Sequence, residues 1–266
     1  MNRTVRVPVE DVELSVQERG EGPALLLVHG FPFDHGLWRH QLKTFPGWRR
    51  IAPDLRGAGG SSAPDNGYSM ARYADDLIAV LDAMDVAAAV VCGLSMGGYV
   101  IFELLRRYRA RVRAAILCDT KAEADTDEGK RGRDEMIALA RGEGAASVAD
   151  KMVPALLAPD TRAERPEVEA QVREMIGRAP VAGIVGALTA MRDRVDSTPL
   201  LSELRVPVLV VAGASDGIST PEGGAAMAGK IKGARFAAVA GAGHLPPLEQ
   251  PFVTTRLIAD FLKTVL

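Results

Sequence analysis

Residues 88–99 read AAVVCGLSMGGY. An apolar run, Ala88–Cys92, meets Gly93-Leu94-Ser95-Met96-Gly97-Gly98, and a helical pattern follows from Tyr99 to Tyr108. The Gly-x-Ser-x-Gly spacing is a weak signal alone, because glycine and serine are common. Between a buried strand and a helix it is a strong one. A sharp strand-to-helix turn brings neighbouring backbone too close for side chains two positions before and two after the serine. Such a turn holds Ser95 in strained geometry with its hydroxyl above the sheet. It also sets Ser95 at a helix N-terminus, where the dipole favours developing negative charge. Ser95 is the candidate nucleophile.

On either side of this turn the chain alternates between two periods. Val5–Val9 and Val12–Gln17 read as a strand pair, and Ala24–Val28 is a continuous apolar run of the kind a buried parallel strand shows. Trp38–Phe45 reads as a short helix. Arg50–Ala52 is a strand, followed by the glycine-rich loop Arg56–Ser62. From Ser69 to Met84, the residues Met70, Tyr73, Leu77, Leu81 and Met84 recur at helical spacing. Val112–Cys118 is a strand ending at Asp119-Thr120. This alternation predicts an α/β fold, a parallel sheet with helices on both faces. Residues 121–198 break the pattern: no strand-like run, many charges, and candidate helices over Glu128–Arg141, Ala145–Leu157, Pro166–Arg178 and Val181–Asp193. Strands resume at Pro207–Ala212 and Arg235–Ala240, and a closing helix spans Gln250–Val265 with Phe252, Leu257, Phe261 and Leu262 as its apolar contacts. The expected division is a core domain of 1–120 and 199–266 with a helical insertion at 121–198.

Composition narrows the function. The 266 residues are 47% hydrophobic with a net charge of −2, so there is no basic surplus to neutralise nucleic acid phosphates. No apolar run reaches the roughly 18–20 residues needed to span a bilayer, so no membrane partner is expected. The opening MNRTVRVPVEDVELSV alternates apolar and polar residues and reads as strand, which points to a cytoplasmic protein. Cys92 and Cys118 lie in apolar runs and read as buried thiols, with a bridge between adjacent strands as the alternative. No Cys-x-x-Cys or His-x-x-x-His pair supplies a zinc ligand set. Gly57, Gly59 and Gly60 do not form a dinucleotide fingerprint. Trp38 reads as core.

A serine hydroxyl needs a base, and the chain has four histidines. His244 stands in Ala240-Gly-Ala-Gly-His-Leu-Pro-Pro, a loop leaving the last strand, and is the candidate general base. For His29 the backbone position matters more than the ring; His35 and His40 read as surface or helix-start residues. The base needs an acid to hold its tautomer. Asp216 and Asp119 both follow strands, and both satisfy the order Ser, Asp, His; Asp216 is favoured and Asp119 competes. The oxyanion hole needs two backbone N–H donors. Met96 follows the nucleophile and Phe31 stands in the loop after the first core strand; these are the candidates, while Pro32 has no N–H to give.

Together, His-Gly-Phe-Pro at 29–32, Asp-Leu-Arg-Gly-x-Gly-x-Ser at 54–61, Gly-Leu-Ser-Met-Gly-Gly at 93–98, Gly-Ala-Ser-Asp at 213–216 and Gly-Ala-Gly-His at 241–244 resemble the α/β-hydrolase family. The likeness covers nearly the whole chain and is nearest to small bacterial serine esterases, non-haem haloperoxidases and perhydrolases, and 3-oxoadipate enol-lactonases. It implies an eight-stranded, mostly parallel sheet with a helical cap inserted after the sixth strand, and no cofactor. Epoxide hydrolases and haloalkane dehalogenases carry an aspartate where this chain has Ser95.

The expected activity is hydrolysis of carboxylic esters through an acyl-enzyme, on a small-molecule substrate. Lactones use the same machinery and are the alternative. A weak peracid side activity is a further expectation, because the Phe31-Pro32 pair matches the perhydrolase branch. A non-catalytic receptor on this fold would have no need of Ser95, His244 and an acid, and all are present. No aromatic residue lies between Lys121 and Thr198, so an aliphatic pocket wall suited to small or medium acyl groups is expected. Homo-oligomerisation is left open.

Overall fold

In the computed structural model, which describes residues 2–265, eight strands form one sheet in the order β1-β2-β4-β3-β5-β6-β7-β8. The outermost positions of the expected core domain, Met1 and Leu266, lie outside the described residues. β1 (Asn2–Val9) and β2 (Val12–Arg19) form an antiparallel hairpin, and β2 runs antiparallel to β4 (Arg49–Pro53). β3 (Ala24–Val28), β5 (Ala89–Leu94), β6 (Val112–Cys118), β7 (Val208–Gly213) and β8 (Arg235–Val239) extend the sheet in parallel. Every residue of β3, β5 and β7 is buried, which requires cover on both faces.

The core helices follow from the apolar spacing. α1 (Met70–Ala83) starts where the Ser69 hydroxyl accepts the Arg72 N–H, and it buries Met70, Tyr73, Leu77 and Leu81. α2 (Met96–Arg107) begins directly after Ser95, three residues earlier than the sequence pattern indicates. Between β6 and β7 lie α3 (Asp127–Glu143), α4 (Ala145–Leu156), α5 (Pro159–Glu164), α6 (Pro166–Gly177), α7 (Val181–Arg192) and α8 (Thr198–Leu201). The Ser197 N–H donates to the Ala122 carbonyl at 2.8 Å, so the segment leaves and re-enters the core at adjoining points. α9 (Pro221–Gly229), α10 (Pro246–Glu249) and α11 (Pro251–Leu262) complete the chain.

Three expectations are corrected. Trp38–Phe45 is two single 3₁₀ turns, His35–Trp38 and Gln41–Lys43, rather than one helix. Pro46 disfavours helical geometry at Phe45, whose φ is 60°, so the segment has no room to propagate. α5 has no apolar stripe, since only Thr161 of its six residues is buried, and periodicity therefore missed it. Phe252 points outward, 78% exposed, while α11 buries Phe261 and Leu262 as expected, together with Thr254 and Ile258. Trp38 is wholly buried, and Cys92 and Cys118 are free and buried, as expected.

Candidate active site

All of the candidate residues stand at the carboxyl ends of parallel strands: Phe31 beyond β3, Ser95 beyond β5, Asp119 beyond β6, Asp216 beyond β7 and His244 beyond β8. Ser95 has φ 54° and ψ −112°, a backbone conformation that non-glycine residues seldom adopt. The surrounding packing holds it there. The Ser95 N–H donates to the Cys118 carbonyl at 2.9 Å, and the Thr120 hydroxyl donates to the Ser95 carbonyl at 2.8 Å. A Cβ on Gly93 would sit 2.6 Å from the Gly97 backbone, and one on Gly97 would sit 2.4 Å from the Val28 carbonyl oxygen. That crowding is the physical reason for both glycines.

Asp216 and His244 are both buried, and His244 Nδ1 lies 2.8 Å from Asp216 Oδ2. The other oxygen of Asp216 accepts the Ile218 N–H at 2.8 Å. Burial opposes ionisation of Asp216. The hydrogen bond and charge of His244, with the N–H groups of Ile218 and Ser219, outweigh it and hold the carboxyl below its ordinary value. Nδ1 of His244 thus donates to a carboxylate, and Nε2 is left as the basic nitrogen.

Asp119, the competing acid, is brought close but not onto the histidine. Its Oδ1 accepts the Gly213 N–H at 2.7 Å, while Oδ2 is buried without a partner among the described residues. Burial, then the charge of Asp216, push the Asp119 carboxyl well above its ordinary range. Two neighbouring carboxyls in one buried site cannot both ionise easily, and the one on His244 keeps the charge.

Phe31 and Met96 line a common narrow cleft, closed by Ala179, Ile184 and Ala187 near and along α7. Met96 is the first residue of α2, so its N–H has no place in the helical ladder. The apolar residues at 121–198 divide between cavity lining and packing. Met136, Met152 and Leu188 line a second cavity that also touches Phe31, while Ile137, Leu156, Met175, Ile176 and Met191 are packed away.

Among the described residues, two groups are close enough for their oxygens and nitrogens to ligate one metal ion: Asp119–Asp216–His244 and Asp34–His35–Asp54. In the second, the donors are already committed. Asp54 Oδ1 takes the His35 N–H and Nδ1, each at 2.8 Å, and Asp34 takes the Gly36 N–H and the Arg178 guanidinium. Burial disfavours charge on His35, but its bond to Asp54 wins and raises its pKa.

Two functional features escaped the sequence. The ring of His29, not only its backbone, matters: Nε2 accepts the Leu55 N–H at 3.0 Å, so Nδ1 carries the hydrogen and donates to the Gly30 carbonyl at 2.9 Å. Burial lowers its pKa and keeps the ring neutral. The ring thereby ties the Phe31 loop to the end of β4. The second feature is Glu249, wholly buried, whose Oε1 accepts the N–H groups of Gly243 at 2.9 Å and Leu245 at 3.1 Å, on either side of His244. Its Oε2 accepts the Ala158 N–H at 2.7 Å, and the His244 N–H donates to the Leu156 carbonyl at 2.9 Å. The histidine loop is therefore held jointly by α10 and by the residues at the end of α4. No periodic or spacing signal marks Glu249; only its position just after His244-Leu-Pro-Pro could have drawn notice.

Comparison with known proteins identifies the family and the fold. The family described as the alpha/beta hydrolase fold matches residues 23–251. A thermophilic esterase from Thermogutta terrifontis superposes with a TM-score of 0.95 at 39% identity, covering 100% of this chain and 99% of that one. The enol-lactonase from Burkholderia xenovorans LB400 gives a TM-score of 0.91 at 29% identity over 97% of this chain and 100% of that one. The 3-oxoadipate enol-lactonase 2 of Acinetobacter baylyi is 26% identical over 96% of this chain and 94% of its own length.

Proposed function

The chain belongs to the alpha/beta hydrolase family, and from that premise we propose that it is a serine hydrolase of carboxylic esters with small to medium acyl groups. Residues 1–120 and 199–266 act as the core domain and 121–198 as the cap. Ser95 Oγ attacks the ester carbonyl while His244 Nε2 takes its proton. Asp216 keeps the imidazole in the Nδ1–H tautomer and stabilises the imidazolium. The N–H groups of Phe31 and Met96 receive the oxyanion. The imidazolium returns its proton to the departing alkoxide, leaving an acyl-enzyme and an alcohol. Water then adds to the acyl carbon, giving up a proton to His244, and the acid is released as Ser95 Oγ regains that proton.

The observation that carries this reading is the buried 2.8 Å contact of His244 and Asp216 at the same sheet edge as the strained Ser95. The test is Ser95→Ala. It should keep the fold and lose about 10³–10⁶ of kcat on p-nitrophenyl esters, the scale of triad removals. Retention of more than about a tenth of the activity would sink the covalent mechanism, since that is far outside the range for a lost nucleophile. Lactone hydrolysis is a second reading, favoured by the enol-lactonases among the similar proteins. The same protein assayed on five- and six-membered lactones beside p-nitrophenyl esters of rising chain length separates the two.

A further inference from the structure

A second cavity also touches Phe31. Its character is different. Lys121, Asp125 and Arg133 line it together with Met136, Met152 and Leu188. Lys121 is the residue after Thr120, whose hydroxyl clamps Ser95, so its backbone is fixed to the nucleophile's own turn. The charge on this wall is unbalanced. Asp125 is the carboxylate here, and both of its oxygens are taken: Oδ2 by Arg133 Nε at 3.0 Å and Oδ1 by Arg194 Nη1 at 2.8 Å. Arg194 is fixed further by stacking over the Tyr99 ring and by bonds to the Met191 and Glu123 carbonyls. Arg133 spends only its Nε on Asp125, and its terminal amino groups have no protein acceptor among the described residues. Lys121, half-buried, forms no ion pair and no side-chain hydrogen bond among the described residues. Burial and then the charge of Arg194 lower its pKa, and Asp125 and Glu123 offset this only in part. A half-buried cation without a counter-ion is costly unless something anionic completes it.

We propose that this cavity is a carboxylate subsite in which Lys121, with Arg133 on the same wall, binds a free carboxylate on the substrate. The inference rests on the ester-hydrolase reading and deepens it. Phe31 lines both the apolar cleft and the charged cavity, so an ester whose carbonyl oxygen sits on the Phe31 and Met96 amides can direct one arm to each. The substrate class is therefore esters that bear a second, ionised carboxyl group, such as half-esters of dicarboxylic acids. One compact ammonium, with only the terminal amino groups of Arg133 uncommitted beside it, matches the single charge of a carboxylate better than a phosphate, which calls for more donors.

The experiment has a binding arm and a turnover arm. Adipate binding is measured by calorimetry on Ser95→Ala protein with Lys121 intact and with Lys121→Met or Lys121→Arg added. Lys121→Met should weaken adipate about 10–100-fold, the value of a charge-assisted contact, and Lys121→Arg should keep most of the affinity. In the active enzyme, the ratio of kcat/KM for the monoethyl esters of succinic, glutaric and adipic acids over ethyl alkanoates of matching length should fall by a similar factor in Lys121→Met. Equal adipate affinity with and without the ammonium, or an unchanged ratio, overturns the subsite. Lysine-dependent adipate binding in a protein whose ester hydrolysis survives Ser95→Ala would leave the subsite standing and remove the serine mechanism instead.

Discussion

At the scale of single residues, the two aspartates beyond β6 and β7 share one buried site and differ in what they face. Asp216 Oδ2 meets His244 Nδ1, while Asp119 meets the Gly213 N–H and keeps one oxygen unpaired. Asp216→Asn should cost on the order of 10⁴ in kcat, because an amide holds the wrong histidine tautomer. Asp119→Asn should cost less than about tenfold on the same scale. The opposite ranking in steady-state kinetics would make Asp119 the acid. Stability separates them as well. The Asp119 pKa is raised on folding, so the native state holds more protons than the unfolded chain, and stability from this group falls with rising pH by about 1.4 kcal/mol per unit until the folded pKa is passed. Asp119→Asn removes that slope, so its Tm relative to the parent should climb as the pH rises above the ordinary carboxyl pKa. The Asp216 pKa is lowered, so its contribution is present above the ordinary carboxyl pKa and is lost on acidification through the folded value. The sequence placed both aspartates at strand ends. It favoured Asp216 but left Asp119 in competition, because the choice depends on which oxygen reaches the His244 ring, 28 residues from Asp216.

At the scale of elements, the strand ends were legible and their supports were not. Glycines marked the Ser95 turn because backbone passes within van der Waals distance there, a constraint that leaves its trace in residue type. Glu249 left no such trace. It works through three backbone N–H groups, one of them 91 residues away at Ala158, and any acidic residue in α10 would read alike in sequence. Four of the six helices between β6 and β7 were recognisable from an apolar stripe; the short α5 and α8 were not. Glu249→Gln should leave at least one buried N–H facing an amide NH₂ and cost roughly 2–4 kcal/mol. The slackened His244 loop should lower kcat about 10–100-fold, as small misplacements of catalytic groups do. A thermal melt and a kcat measurement on one preparation check both. A variant with parental Tm and parental kcat would mean that the carboxylate is incidental to the loop.

Across the whole molecule, α7 closes over the core at two glycines. A Cβ on Gly183 would sit 1.8 Å from the Gly57 carbonyl oxygen, and one on Gly186 would sit 2.3 Å from the Tyr68 ring. Neither the Gly57 carbonyl nor the helix backbone can yield, so Gly183→Val should push α7 outward. The expected result is a loss of about 1–3 kcal/mol from overpacking and a shift of the preferred p-nitrophenyl ester toward longer acyl chains, read by melting and by the chain-length profile. An unaltered profile would place the acyl group somewhere other than the cleft under α7. The bond from Ser197 to Ala122 has a wider meaning. Two ends that already touch make residues 123–196 a natural graft junction: foreign helices spliced at this point would leave the strand order undisturbed, and lineages could trade substrate range by recombination there. The trade is not free. An incoming segment would have to bring its own carbonyl for the His244 amide and its own amide for Glu249, as Leu156 and Ala158 do, or the His244 loop would lose the bonds that tie it to the inserted helices.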